Sequence, residues 1–269
     1  EVTILDVSHQ DISDLTGIEL FVSLKQLISF NNLLTSLDVS GNTALERLIC
    51  TGNYLTSLDV SKNTNLTTLI CDRNKLTSLD VSLNTALDVL WCEENEISTL
   101  DISNNKLLRQ LHVDHNQLTS LDVTQNTSLG HLMCAGNRLT SLDVQTDTAL
   151  GWLWCSENQI ASLDVSNNPD LYILMCSNTL FTGLDISLNT SLNTLYCDGN
   201  PITSLDVSNN TALKNLYCYN NQLTSIDVSN NDSLEIFWCG ENQLTSVDVS
   251  NNAALTELWC GHNQLTSLD

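Results

Sequence analysis

The 21 residues from Leu48 to Thr68, LICTGNYLTSLDVSKNTNLTT, recur with small changes down most of the chain. Their skeleton is L-x-C-x-x-N-x-L-T-S-L-D-V-S-x-N-T-x-L-x-x. The anchoring position is Leu27, Leu48, Leu69, Leu90, Leu111, Leu132, Leu153, Leu174, Leu195, Leu216, Phe237 and Leu258, every step being 21 residues. Leu5 opens a first unit of 22 residues, so the chain holds twelve full turns and a truncated thirteenth. Self-similarity at a fixed period of this length is the signature of a coil whose turns stack on their neighbours.

Side chains alternate across an extended strand, so Leu48 and Cys50 point inward and Ile49 outward, and Leu58, Asp59 and Val60 repeat that arrangement across the coil. Each turn thus offers two short strands, and stacked turns make two parallel sheets. Both sheets advance by about 4.8 Å per turn. A coil bends when one side carries helices, which are wider than strands. The expectation is a right-handed, weakly curved solenoid with little or no helix.

Read from Leu45, the unit gives L-x-x-L-x-C-x-x-N-x-L, and Leu55 to Asn63 repeats the pattern inside the same turn. It resembles the bacterial nested class of leucine-rich repeats, the IRREKO type, while the first unit, LDVSHQDISDLTGIELFVSLKQ, is similar to internalin repeats. The resemblance implies one leucine-rich-repeat domain over 1–269, with 1–26 an atypical first repeat and 27–269 regular. It also implies recognition as the role, on a bacterial surface or secreted protein. Such a motif specifies fold far better than function. The chain begins at Glu1 and ends within a repeat, which reads as part of a longer protein.

Residues that recur once per turn form columns. Asparagine makes two, from Asn32 to Asn263 and from Asn42 to Asn252, with Gln10, Thr179 and Asp147 as exceptions. A buried carboxamide both donates and accepts, which suits backbone amides leaving a strand. Ten cysteines from Cys50 to Cys260 share one inward column with Val7, Ser29 and Val113. Side chains that run parallel do not face each other for disulfides, so buried free thiols are expected. Aspartates from Asp38 to Asp269 line the outward side of the second strand. Neighbouring serines offset their repulsion, with weak calcium binding as the sharper alternative.

The outward position between leucine and cysteine is different in kind. It reads Ile28, Ile49, Ile70, Trp91, His112, Met133, Trp154, Met175, Tyr196, Tyr217, Trp238 and Trp259, with Trp152 two residues from Trp154. Asp72, Glu93, Glu94, Asp114, Glu157, Asp198, Tyr219 and Glu241 stand just past the cysteine position. A solvent-facing aromatic stripe ringed by carboxylates can hold a sugar or a basic protein. The candidate ligand-binding residues are therefore Trp91, His112, Met133, Trp152, Trp154, Met175, Tyr196, Tyr217, Tyr219, Trp238 and Trp259. The competing reading is sheet stabilisation by stacked rings in a spacer domain without its own ligand. His112, Asp114, His115 and His131 fall on neighbouring turns, but no spacing enforces a metal site, and no cofactor is implied.

With 32 acidic and 9 basic residues the net charge is −23, a potential that repels phosphate backbones and anionic headgroups, so nucleic-acid and membrane roles are disfavoured. No apolar run is long enough for a transmembrane helix. Acidity and the family resemblance together suggest an extracellular or cell-surface setting. Catalysis needs unlike groups converging in a pocket, whereas the repeat spreads like groups evenly. The reading is a non-catalytic module that binds a protein or glycan.

Overall fold

A computed structural model describes residues 1–268, and Asp269, the last of the aspartate column, lies outside them. The chain divides into two compact units, Glu1–Arg138 and Leu139–Asp269. In the first, strands β1 (Ile4–Asp6), β2 (Gln26–Ile28), β3 (Arg47–Ile49), β4 (Thr68–Ile70), β5 (Val89–Trp91), β6 (Gln110–His112) and β7 (His131–Met133) pair in order. In the second, β8 (Trp152–Trp154), β9 (Ile173–Met175), β10 (Thr194–Tyr196), β11 (Asn215–Tyr217), β12 (Ile236–Trp238) and β14 (Glu257–Trp259) do the same. The strands pair in parallel, and leucine faces leucine from turn to turn, as Leu48 faces Leu69. A single helical turn, Ile18–Leu20, is the only helix among the described residues.

The second sheet is much shorter than the first. It pairs only β13 (Ser246–Val247) with β15 (Ser267–Leu268). Elsewhere the inward alternation persists without a ladder: Leu58 and Val60 are buried and Asp59 is exposed. Side chains on this side of the coil bond to the local backbone. The Ser61 N–H donates to Asp59 Oδ1 at 2.8 Å, and the same bond recurs from Ser40 to Asp38 and from Ser250 to Asp248. These bonds, with the serine hydroxyls, hold the carboxyls below their ordinary range. Serine thus offsets the charge of the exposed column turn by turn.

Asparagine staples adjacent turns. In the first column Asn53 Nδ2 donates to Ser29 O and Cys50 O, both at 3.0 Å, while its Oδ1 accepts the Leu34 N–H at 3.0 Å. The second column uses only its donor half. Asn105 Nδ2 reaches Val81 O at 3.0 Å and Asn84 O at 2.9 Å, but its buried Oδ1 accepts nothing. The expectation of donor and acceptor at both columns holds for the first alone.

The residue before each first-column asparagine has a left-handed backbone. Asn31, Gly52, Arg73, Glu94, His115 and Gly136 carry φ of 50–64° in the first unit, and Glu157, Asn178, Gly199, Asn220, Glu241 and His262 carry 52–67° in the second. Glycine and asparagine reach this region with least strain. At Gly52 a Cβ would also run into the Asn31 carboxamide, so glycine answers a close approach there as well. The cysteines from Cys50 to Cys239 are buried and Cys260 is partly so, and they are thiols rather than disulfides. Burial pushes the Cys50 thiol up to about 12, away from thiolate chemistry.

Asp147 occupies an asparagine position and has no amide hydrogens to donate. It is fully buried, and neither carboxyl oxygen has a hydrogen-bond partner. Burial first, and the Asp143 charge second, push its pKa up from 3.8 to about 7. Folding therefore favours the protonated form, a contribution complete below about pH 4 and lost as pH rises through about 7. Asp147→Asn restores the donor, and we expect a higher urea midpoint at pH 8 with a smaller gain at pH 4. An unchanged midpoint at pH 8 would contradict this account.

Candidate functional site

In the first unit the outward residues Ile28, Ile49, Ile70, Trp91, His112 and Met133 stand in register, one per turn. The Trp91 and His112 rings stack at 4.6 Å with planes 4° apart. Burial, then the nearby His131, pushes the His112 pKa down to about 4, so at neutral pH it is an uncharged ring. Trp91 Nε1, His112 Nε2 and Glu93 Oε2 are buried atoms without a hydrogen-bond partner.

The position past the cysteine places Asp72, Glu93 and Asp114 on consecutive turns beside this stack. Asp72 Oδ1 accepts the Thr51 hydroxyl at 2.6 Å, and Asp114 Oδ1 accepts the Ala135 N–H at 2.7 Å. Burial raises all three carboxyls, Asp114 to about 6 and Glu93 to about 7, and for Glu93 the charges of Asp72, Asp114 and Glu94 add to it. Arg73 directs its guanidinium to Glu94 at 3.0 Å.

The second unit carries a different surface. Trp152 and Trp154 lie on the same side of β8 with Leu153 buried between them, and Trp154 stands in register with Met175. From there Tyr196, Tyr217, Trp238 and Trp259 follow turn by turn. Tyr196 and Tyr217 stack at 4.0 Å. Trp238 meets Tyr217 and Trp259 edge-on at 5.1 and 5.7 Å, and Tyr219 leans on Trp238 and Trp259 at 6.1 and 5.5 Å. The Trp238 indole N–H donates to Glu257 at 3.0 Å. Trp259 lies against Gly240, where a Cβ would meet its ring at ordinary contact distance, 3.4 Å, and the Gly261 carbonyl more closely at 3.0 Å.

The structure thus gathers Trp91 with His112, and Tyr196, Tyr217, Tyr219, Trp238 and Trp259 into one contact cluster. Met133, Trp152, Trp154 and Met175 stand on the outward face of their own strands. The face departs from the sequence reading in exposure. Its large residues are half-buried, and of them only Trp259, 37% exposed, is open to solvent. Rings that stack on each other cover each other. Among the described residues no group of three or more His, Cys, Asp or Glu is placed to hold a metal ion. No helix of the described chain is long and apolar enough to cross a membrane. Sequence reasoning missed the burial of Asp72 and Asp114 and the left-handed column, although Gly52, Gly136, Gly199, Asn31, Asn178 and Asn220 were its visible signal.

No protein-family model matches the chain, and no curated protein matches it in sequence. Solved structures do. The functional domain of InlJ from Listeria monocytogenes, described as including a cysteine ladder, is 36% identical over 99% of this chain with a TM-score of 0.87. The chain spans 64% of that domain's length, just under two thirds. An internalin, InlF, from the same organism is 24% identical over 91% of this chain and 83% of its own, TM-score 0.75. YopM from Yersinia enterocolitica is 27% identical over 99% of this chain and 57% of its own, TM-score 0.81. These likenesses bear out the leucine-rich-repeat solenoid and the internalin-like reading of its repeats.

Trp238 sits at the centre of the aromatic cluster, and each edge-on pair contributes about 0.5–1.5 kcal/mol beyond burial. Trp238→Ala should therefore destabilise the fold by about 1–3 kcal/mol, and Trp238→Phe by clearly less. Urea denaturation monitored by circular dichroism measures both. Equal losses would show that the edge-on contacts contribute nothing.

Proposed function

We infer that this bacterial leucine-rich-repeat protein with internalin-like repeats is a non-catalytic recognition module that holds a protein or glycan on the aromatic outward face of its strands. The observation that carries this reading is the contact cluster of Tyr196, Tyr217, Tyr219, Trp238 and Trp259 on one side of β10–β14. Large, rigid aromatic side chains lose little conformational entropy on binding and dominate interface energetics. Strands of the scaffold hold them, which fixes their geometry better than loops. The family resemblance and the charge of −23 favour an extracellular or cell-surface setting, within a longer protein.

A spacer without a ligand is the second reading, and the half-burial of these rings by one another favours it. A joint screen on glycan and protein arrays separates the two. Wild-type binding that is lost in the triple variant Trp154→Ala, Tyr196→Ala, Trp238→Ala, with its circular dichroism spectrum retained, supports recognition. A wild type that binds nothing on either array sinks it.

Weak calcium binding is a separate property of the aspartate column. One oxygen of the carboxylate is committed to a serine N–H at Asp59, Asp80 and Asp248, and to the Thr124 and Gln145 N–H at Asp122 and Asp143, and the other remains for a hard cation. Titration calorimetry should register heat only at roughly millimolar calcium, the range of weak extracellular sites. Silence there removes calcium from the account.

A further inference from the structure

The face of the first unit is short of counter-charge, and Arg73 offsets the burial of Asp72 only in part. Asp72, Glu93 and Asp114 rise on consecutive turns beside the Trp91–His112 stack, and no Lys or Arg forms an ion pair with any of them among the described residues. The nearest guanidinium on this side, that of Arg73, is engaged by Glu94. His112 is uncharged and supplies no compensation. Asp72 and Asp114 are each more than nine-tenths buried, where an ionised carboxyl costs most. What this surface is short of is positive charge.

Three unpartnered atoms sharpen the chemistry. Glu93 Oε2 requires a hydrogen-bond donor, the Trp91 indole N–H requires an acceptor, and the uncharged His112 ring can take either at Nε2. A neutral sugar supplies hydroxyls but no charge, and a metal ion supplies charge but no acceptor. An arginine within a polypeptide supplies both: donors and positive charge from the guanidinium, an acceptor from a peptide carbonyl. Its planar fork also stacks on aromatic faces and binds carboxylates bidentately, which an ammonium does not. The two rings cover each other's faces and leave their edges, with the unpartnered ring nitrogens, for a partner to meet. Contact with these half-buried atoms requires side-chain rotamer changes of the kind common at interfaces.

We propose that the Trp91–His112 stack and the Asp72, Glu93, Asp114 column form a docking seat for an arginine-bearing basic segment of a partner protein. The proposal rests on the recognition reading and narrows it for the first unit. In the second unit the same positions are Ser156, Ser177, Asp198, Tyr219, Gly240 and Gly261, so this seat has no counterpart there.

The test is fluorescence anisotropy of the whole chain with three labelled peptides of one design, alternating glycine with arginine, lysine or glutamine. The arginine peptide should bind, weaken as salt screens the charge, and bind more tightly than the lysine peptide, with the glutamine peptide inert. Glu93→Gln combined with Asp114→Asn should lower arginine-peptide affinity about tenfold or more, equivalent to about 1.4 kcal/mol or more. The same pair relieves like-charge crowding, so its melting temperature should rise, and loss of fold cannot mimic loss of binding. Trp91→Leu should also weaken the arginine peptide. Asp164→Asn with Asp185→Asn, in the exposed aspartate column, should leave it unchanged.

Equal binding of arginine and lysine peptides, or equal loss in the two double variants, would overturn the seat in favour of general acidity. Absence of arginine-peptide binding would overturn it too. If array ligands still depended on Trp154, Tyr196 and Trp238, only this seat would fail. If nothing bound anywhere, the recognition reading would fail with it.

Discussion

Everything in this coil hangs on one carboxamide per turn. A solenoid leaves its backbone groups exposed at every corner, where neither strand pairing nor helix can reach them, and a buried amide without a partner costs about 1–3 kcal/mol. Asn53 answers this by reaching back to Ser29 O and Cys50 O and accepting from Leu34. The same side chain closes its own turn and clasps the one before. The leucines can then be uniform because the corners are fixed, and the outward strand positions vary because they answer only to their neighbours on the face.

The thread from corner to face runs through the left-handed residue that precedes each staple. It turns the chain sharply enough for β-strands only three residues long to stack in register. Short strands make a narrow face, so large side chains on neighbouring turns must touch. That is why Tyr196, Tyr217 and Trp238 shield one another and the stripe is half-buried rather than open.

The period made the fold legible in advance: anchoring leucines at a fixed step specify stacked turns, and alternation around Leu48 and Leu58 specifies which side faces in. The extent of the second sheet was hidden, because alternation around Leu58 fixes which side faces in but not whether neighbouring turns close a backbone ladder there. The candidate face was legible as a column but not as chemistry. Nothing in the letters distinguishes Asp72, buried against Thr51, from Asp59, free in solvent, and only the fold reveals that one carboxyl column is crowded and the other relaxed.

Each clasp joins a turn only to its neighbour, so the coil is a chain of equal links loaded in series. Pulled from its ends, such a chain gives way link by link. Each released turn of 21 residues pays out about 70 Å of slack. A protein of this build tethered at one end would lengthen in steps under tension, shedding force instead of transmitting it. Every step through a turn from Cys50 onward, the Val113 turn excepted, would bare one thiol that the folded turn had kept from oxidants.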